Sequence, residues 1–94
     1  MTQEEAIAII NARVAEAASL TVSVGEAFGS IGLAARNFDL AAIPDQMALV
    51  ENYRAQRDAK WALIEAAAAE IEDVPTREAQ LLTAAEQIAE YPPG

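Results

Sequence analysis

Apolar residues recur at alternating spacings of three and four through the first half of the chain: Ile7, Ile10, Val14, Ala17, Thr21, Val24, Phe28, Ile31, Ala35 and Phe38. A second run, Ile43, Met47, Val50, Arg54, Arg57, Trp61, Ile64, Ala68 and Ile71, covers most of the remainder. This spacing lines side chains along one face of a helix, where another helix can cover them. The expectation is an all-α chain, a three- to four-helix bundle or a long helical hairpin. It forms one domain over residues 1–94 and packs its helices against other chains as well as against itself.

The local signals divide the stripes into elements. Thr2-Gln3-Glu4-Glu5 has the form of a capping box, and its acidic residues suit the positive end of a helix dipole. A helix is expected from about Gln3 to Leu20. Leu20-Thr21-Val22-Ser23-Val24 then alternates like a short strand, although the three-four stripe continues through it. Gly25, Gly29 and Gly32 would each cost a helix about 1 kcal/mol relative to alanine. The reading is a second helix from about Gly25 to Asn37, bent from the first or continuous with it, with a strand or loop at Leu20–Val24 as the alternative. Asn37-Phe38-Asp39 reads as a turn. Pro44 belongs in the first turn of the next helix, which should run to about Glu72 and be the longest in the chain. Asp73-Val74-Pro75-Thr76 breaks that helix, because a residue before proline avoids helical geometry. A last helix from Arg77 to about Glu90 places Leu81, Leu82, Ala85 and Ile88 on one face, and Tyr91-Pro92-Pro93-Gly94 ends it.

Composition thins the expected core. Hydrophobic residues make up 53% of the 94, but many are alanines, as in Ala66 to Ala69, and large surfaces come only from two Phe, two Tyr and one Trp. Alanine favours helix yet buries little area. A core this thin makes association with a second chain a reasonable expectation. The net charge of −9 argues against nucleic acid and against anionic membranes as partners. The stretch from Ala17 to Ala35 holds only one charge, Glu26, but its Ser, Thr and Gly content argues against a membrane span. The acidic N-terminus does not resemble a signal peptide. A cytoplasmic protein is expected, or a virion protein if the chain comes from a phage.

Candidate chemistry is sparse. Histidine and cysteine are absent, which removes Ser-His and Cys-His catalysis, thiolate metal sites and the Glu-x-x-His pairs of di-iron bundles. The glycines do not match a lysine-bearing phosphate loop. Glu70, Glu72 and Asp73 lie beside an expected turn, where a solvated helix end explains them better than an acid–base site. The expectation is a non-enzyme with no cofactor and no metal.

Two groups point instead to protein interfaces. Gly25, Gly29 and Gly32 fall close together on one helical face, where small residues let a second helix approach almost to backbone contact. The alternative is that they mark a loop or bend. Arg54 and Arg57 interrupt the second stripe; at four-residue spacing Arg54 can pair with Asp58 and Arg57 can lie over Trp61. Both arginines could simply snorkel from a partly covered face. Arg and Trp are, however, enriched among interface anchors, so Arg54, Arg57 and Trp61 are the candidate partner contacts.

The run Tyr53-Arg54-Ala55-Gln56-Arg57-Asp58-Ala59-Lys60-Trp61 resembles the Tyr-Arg-x-x-Arg-Asp-rich helices of small accessory proteins of tailed bacteriophages, including tail and head–tail components. It covers less than a fifth of the chain. The glycine-rich β-hairpin of head-completion proteins and the Thr-Asp-Trp pattern of tail-assembly proteins are missing. The resemblance implies a virion or assembly role. Residues and resemblance together give a structural or assembly protein acting through helix packing, as a homo-oligomer or part of a larger assembly. The alternative is a small acidic regulator that masks a basic protein partner.

Overall fold

A computed structural model describes residues 1–89. Helix α1 spans Gln3–Arg36, α2 spans Ala42–Ala68 and α3 spans Val74–Ile88. Helices α1 and α2 form a long antiparallel hairpin, and α3 packs on both at the end that holds the start of α1 and the end of α2. The molecule is elongated, with extents of 54 × 20 × 18 Å.

Helix α1 starts where the capping box lies: the Thr2 hydroxyl accepts from the Glu5 amide at 3.2 Å and donates to the Glu5 carboxylate at 3.1 Å. The helix then runs unbroken for 34 residues, so the stretch from Gly25 is helical and continuous with the first helix, and Leu20–Val24 is neither strand nor loop. The Ser23 hydroxyl bonds back to the Ser19 carbonyl at 3.3 Å, which accommodates it inside the helix, and the Thr21 hydroxyl lies 3.3 Å from the Ala17 carbonyl while its proton goes to another helix. Val24 is buried against Val50 and outweighs the local strand preference. Helix α1, and not α2, is therefore the longest element.

The turn at residues 37–39 is a Schellman motif. Phe38 N–H bonds to the Ala35 carbonyl at 3.2 Å and Asp39 N–H to the Ala34 carbonyl at 2.9 Å. Phe38 takes the left-handed position of that motif, with φ of 55°, which glycine ordinarily occupies. Pro44 lies in the first turn of α2, as its missing amide requires.

Helix α2 ends at Ala68, earlier than Glu72, and α3 starts at Val74, earlier than Arg77. Asp73 is the reason for the second shift. Its carboxylate accepts from the Thr76 amide at 3.1 Å and from the Thr76 hydroxyl, capping a helix whose first turn holds Pro75. Arg77 braces the connection by donating from Nε and Nη2 to the Ile71 carbonyl at 3.0 and 2.6 Å. On α3 the buried face is Ala84, Ala85 and Ile88 with Leu81 beside it, whereas Leu82 is exposed. The expected end of α3 at residues 90–94 lies outside the described residues.

Heptad rows show how the three helices share the apolar stripes. On α1, Ile10, Val14 and Ala17 are buried together with Trp61, Ile64, Ala68 and Ile71 of α2 and its C-terminal connection, and with Ala84, Ala85 and Ile88 of α3. The α2 row Val50, Arg57, Ile64, Ile71 is buried along its whole length. A second α2 row, Met47, Arg54, Trp61, Ala68, is buried only at Trp61 and Ala68. Helix α1 behaves likewise: Val14 is buried, Thr21 is half-buried, and Phe28 and Ala35 are exposed. Both rows lose their cover where α3 ends. Beyond that point, among the described residues, the hairpin has a small cluster of Val24, Ala27 and Val50, flanked by Ile31 and Tyr53.

Candidate functional site

Level with the end of α3, Arg57 reaches across the hairpin and its Nη1 donates to the Thr21 hydroxyl at 3.0 Å. The Thr21 hydroxyl in turn donates to the carbonyl of Ile88 at 2.8 Å. A terminal carbonyl of α3, which no longer has a helical partner, is thereby satisfied by a side chain of α1. Arg57 is 5% exposed and Trp61 is 9% exposed within the main core. Where the sequence led to partner contacts at these two residues, the fold encloses both in their own chain, Arg57 as a link between helices and Trp61 as the largest side chain of the main core.

Past this node the groove filled by α3 continues toward the turn, lined by Phe28, Ile31, Met47, Val50, Glu51 and Arg54. Arg54 is exposed and spans the groove, its guanidinium carbon 5.7 Å from the centre of the Phe28 ring. This places Arg54 over an aromatic ring of the other helix, within cation–π range. Of its lining Phe28 is 49% exposed and Met47 53%, and at the turn Leu40 is 69% and Phe38 86% exposed. Phe28, Phe38 and Met47 belong to the stripes visible in the sequence. Their exposure was not visible there, because periodicity does not show where a third helix stops.

Gly25, Gly29 and Gly32 are all exposed, and a Cβ built on any of them would meet nothing within 4 Å. Among the described residues no helix approaches them, so the expected close contact is not made there, and the helix runs through all three without a loop. Gly25 and Gly32 flank Phe28 at three and four residues, which leaves its ring beside open backbone.

A second groove lies near the other end of the hairpin, lined by Met1, Ile9, Arg13, Leu63, Ala66, Ala67 and Glu70. Next to it Glu16 pairs with Lys60 at 2.9 Å and with Arg13 at 3.1 Å. The Lys60 hydrogen bond, with Arg13 and Lys60 charge adding to it, holds the Glu16 carboxyl below its ordinary range. Glu70, Glu72 and Asp73 are exposed, and Asp73 serves as a cap. Among the described residues no group of three Asp or Glu is placed to hold a metal ion.

By length and composition α1 could cross a membrane: its most apolar 18-residue window has a mean hydropathy of 1.4, with 22% of it buried in the fold. It packs along α2. No family model, curated protein or solved structure matches the chain.

Proposed function

We propose that the chain is a non-enzymatic structural or assembly protein that works through helix packing, with the uncovered end of the hairpin as its contact surface. One observation supports this most. Both heptad rows that α3 covers at one end continue at the other as exposed apolar side chains, Phe28 and Met47, with Phe38 and Leu40 beyond them. Exposed apolar positions grouped in this way mark surfaces that meet other macromolecules. A helix is the occupant that such rows accept, since a helix fills their continuation.

A bacteriophage virion component of head, neck or tail is the specific setting proposed, supported by the resemblance of residues 53–61. The same run contains Arg57 and Trp61, whose burial already accounts for them by packing. The charge favours a second reading, an acidic regulator that masks a basic protein. Residues 22–54 carry four acidic and two basic side chains, so −7 of the net −9 lies outside the tip.

Native mass in solution tests the first reading against the second. It is measured for the chain alone and mixed with the products of neighbouring genes, at low and high salt. Apolar helix packing predicts a larger species that survives high salt, whereas charge-driven masking predicts a complex that dissociates as salt screens it. A monomer in every mixture would overturn both.

A further inference from the structure

We propose that the groove on the face of the hairpin opposite α3 receives a basic amphipathic helix of a partner protein. That helix would be the fourth of a bundle, with the hairpin between it and α3. The inference rests on the charge-driven reading above, to which it gives a place, and leaves the tip to the first reading.

The groove follows from how α3 docks. Ile10 of α1 and Ile64 of α2 lie in the cluster that α3 covers. Ile9 and Leu63 stand about 100° round their helices from those two, on the side of the hairpin away from α3. With Ala66 and Ala67 they line a cavity of about 470 Å³, in which Leu63 is half exposed. Past the Lys60–Glu16 pair a second hollow of about 450 Å³ continues along Ser19, Leu20 and Gln56. From Ile9 to Leu20 helix α1 rises about 17 Å at 1.5 Å per residue, so the two hollows in line match about three turns of a helix. The small alanines leave room for the larger apolar side chains of an incoming helix.

Charge sets the sign of the partner. Residues outside 22–54 carry −7. Among the described residues there, each cation is already engaged: Arg13 and Lys60 by Glu16, Arg57 by Thr21 and Arg77 by the Ile71 carbonyl. Glu5, Glu65, Glu70 and Glu72 form no ion pair. Two of these flank the outer end of the groove, one from each helix: Glu70 lines it, and Glu5 lies one turn before Ile9. Helix α2 also ends here with no basic residue in its last turn, whereas α1 starts with Glu4 and Glu5 to match its own dipole. The carbonyl end of α2 is therefore left for a cation to meet. Farther in, Arg13 and Lys60 share one carboxylate, so the partner's Lys or Arg residues belong at the outer end.

A synthetic helical peptide with leucines at three-four spacing and lysines elsewhere tests the proposal, beside a counterpart with glutamates in place of the lysines. Amide shifts of the labelled chain locate each peptide and give its affinity. The lysine peptide should shift Ile9, Leu63 and Ala66 and bind at least tenfold more tightly than the glutamate peptide, by a margin that narrows as salt rises. Leu63→Gln should weaken it at least tenfold and Glu70→Gln about threefold. Met47→Gln at the tip and Leu82→Gln on α3 should leave it unchanged. All four residues are exposed, and melting curves confirm that the variants fold. Equal affinity for both peptides, shifts at Phe28 and Met47 in place of Ile9 and Leu63, or no shift at all each overturns this inference. The masking reading itself stands or falls on native mass with the products of neighbouring genes, so the two failures are distinct.

Discussion

The guanidinium of Arg57 donates to the hydroxyl of Thr21 at 3.0 Å, and that hydroxyl donates to the Ile88 carbonyl at 2.8 Å, so two side chains tie three helices together. Their removal should not be equivalent. Thr21→Val takes a partner from a buried cation and from a helix-end carbonyl at once, and should cost about 1–3 kcal/mol. Arg57→Met removes the charge itself, leaves Thr21 bonded to Ile88 and keeps the apolar stem, so it should cost less. Denaturant unfolding of the two variants and their double mutant measures the difference and the coupling.

Trp61→Ala should destabilise the isolated chain by about 3–5 kcal/mol, as expected for a large aromatic removed from a packed core. Such a loss can exceed the stability of a small domain, so a conservative Trp61→Phe belongs in the same series. Thermal melts at low concentration separate this from a defect in association. An unchanged melt for Trp61→Ala would contradict its place in the core.

The helices and most of their cores were legible in the sequence because periodicity and burial share one cause: rows of Ile, Val and Ala at heptad spacing need cover. Ile10, Val14, Ala17, Val24, Val50, Ile64, Ala68 and Ile71 lie on the stripes and are buried. Ala27 and Ala34 are also buried without belonging to the α1 stripe. The candidate site was legible only in part. Arg57 and Trp61 carry an interface composition, but which side of α2 receives α3 is a tertiary fact that no local spacing contains. Arg54 alone of the three meets the exposed groove.

The glycines of α1 offer a test of opposite sign from the sequence expectation. Gly29→Ala should stabilise the monomer by up to about 1 kcal/mol, because helix propensity improves and the new Cβ meets nothing within 4 Å. Gly29→Leu should likewise be tolerated in the monomer. A marked fall in helicity or melting temperature at low concentration for Gly29→Ala would show that something approaches this backbone.

Acid should weaken the fold through two carboxylates. Hydrogen bonds from the Thr76 hydroxyl and then its amide hold Asp73 below its ordinary range, and the Lys60 hydrogen bond does the same for Glu16. A depressed folded-state value means that the unfolded chain takes up protons more readily. The stabilisation from each is therefore complete above the ordinary carboxylate range, about pH 4, and is lost as pH falls through the lower folded-state value. The Asp73→Asn and Glu16→Gln variants should melt lower than wild type at neutral pH and show a smaller loss on acidification. Melting curves across pH 2–7 check both points.

At the turn, Phe38→Gly should raise the stability of the monomer by about 1 kcal/mol, since glycine accepts a positive φ without the steric cost. The same change should weaken assembly through the tip by removing an exposed ring. Opposite shifts in melting temperature and dissociation constant are the expected pair of readings. A variant less stable than wild type at low concentration would show that the ring is held within its own chain.

The stop of α3 at Ile88 also sets how the molecule opens. Among the described residues, twelve buried ones from the three helices and the α2–α3 connection form one cluster, while the far end of the hairpin rests on three from two helices. Backbone amides near Ile10 and Ile64 should exchange with solvent only when the whole chain unfolds. Those near Phe28 and Met47 should exchange by separation of two helix ends, an event that leaves the larger cluster intact. A second molecule bound at the tip would slow exchange there first and would barely alter it at the other end. The length of the shortest helix thus divides the chain into a permanent part and a part whose rigidity depends on company.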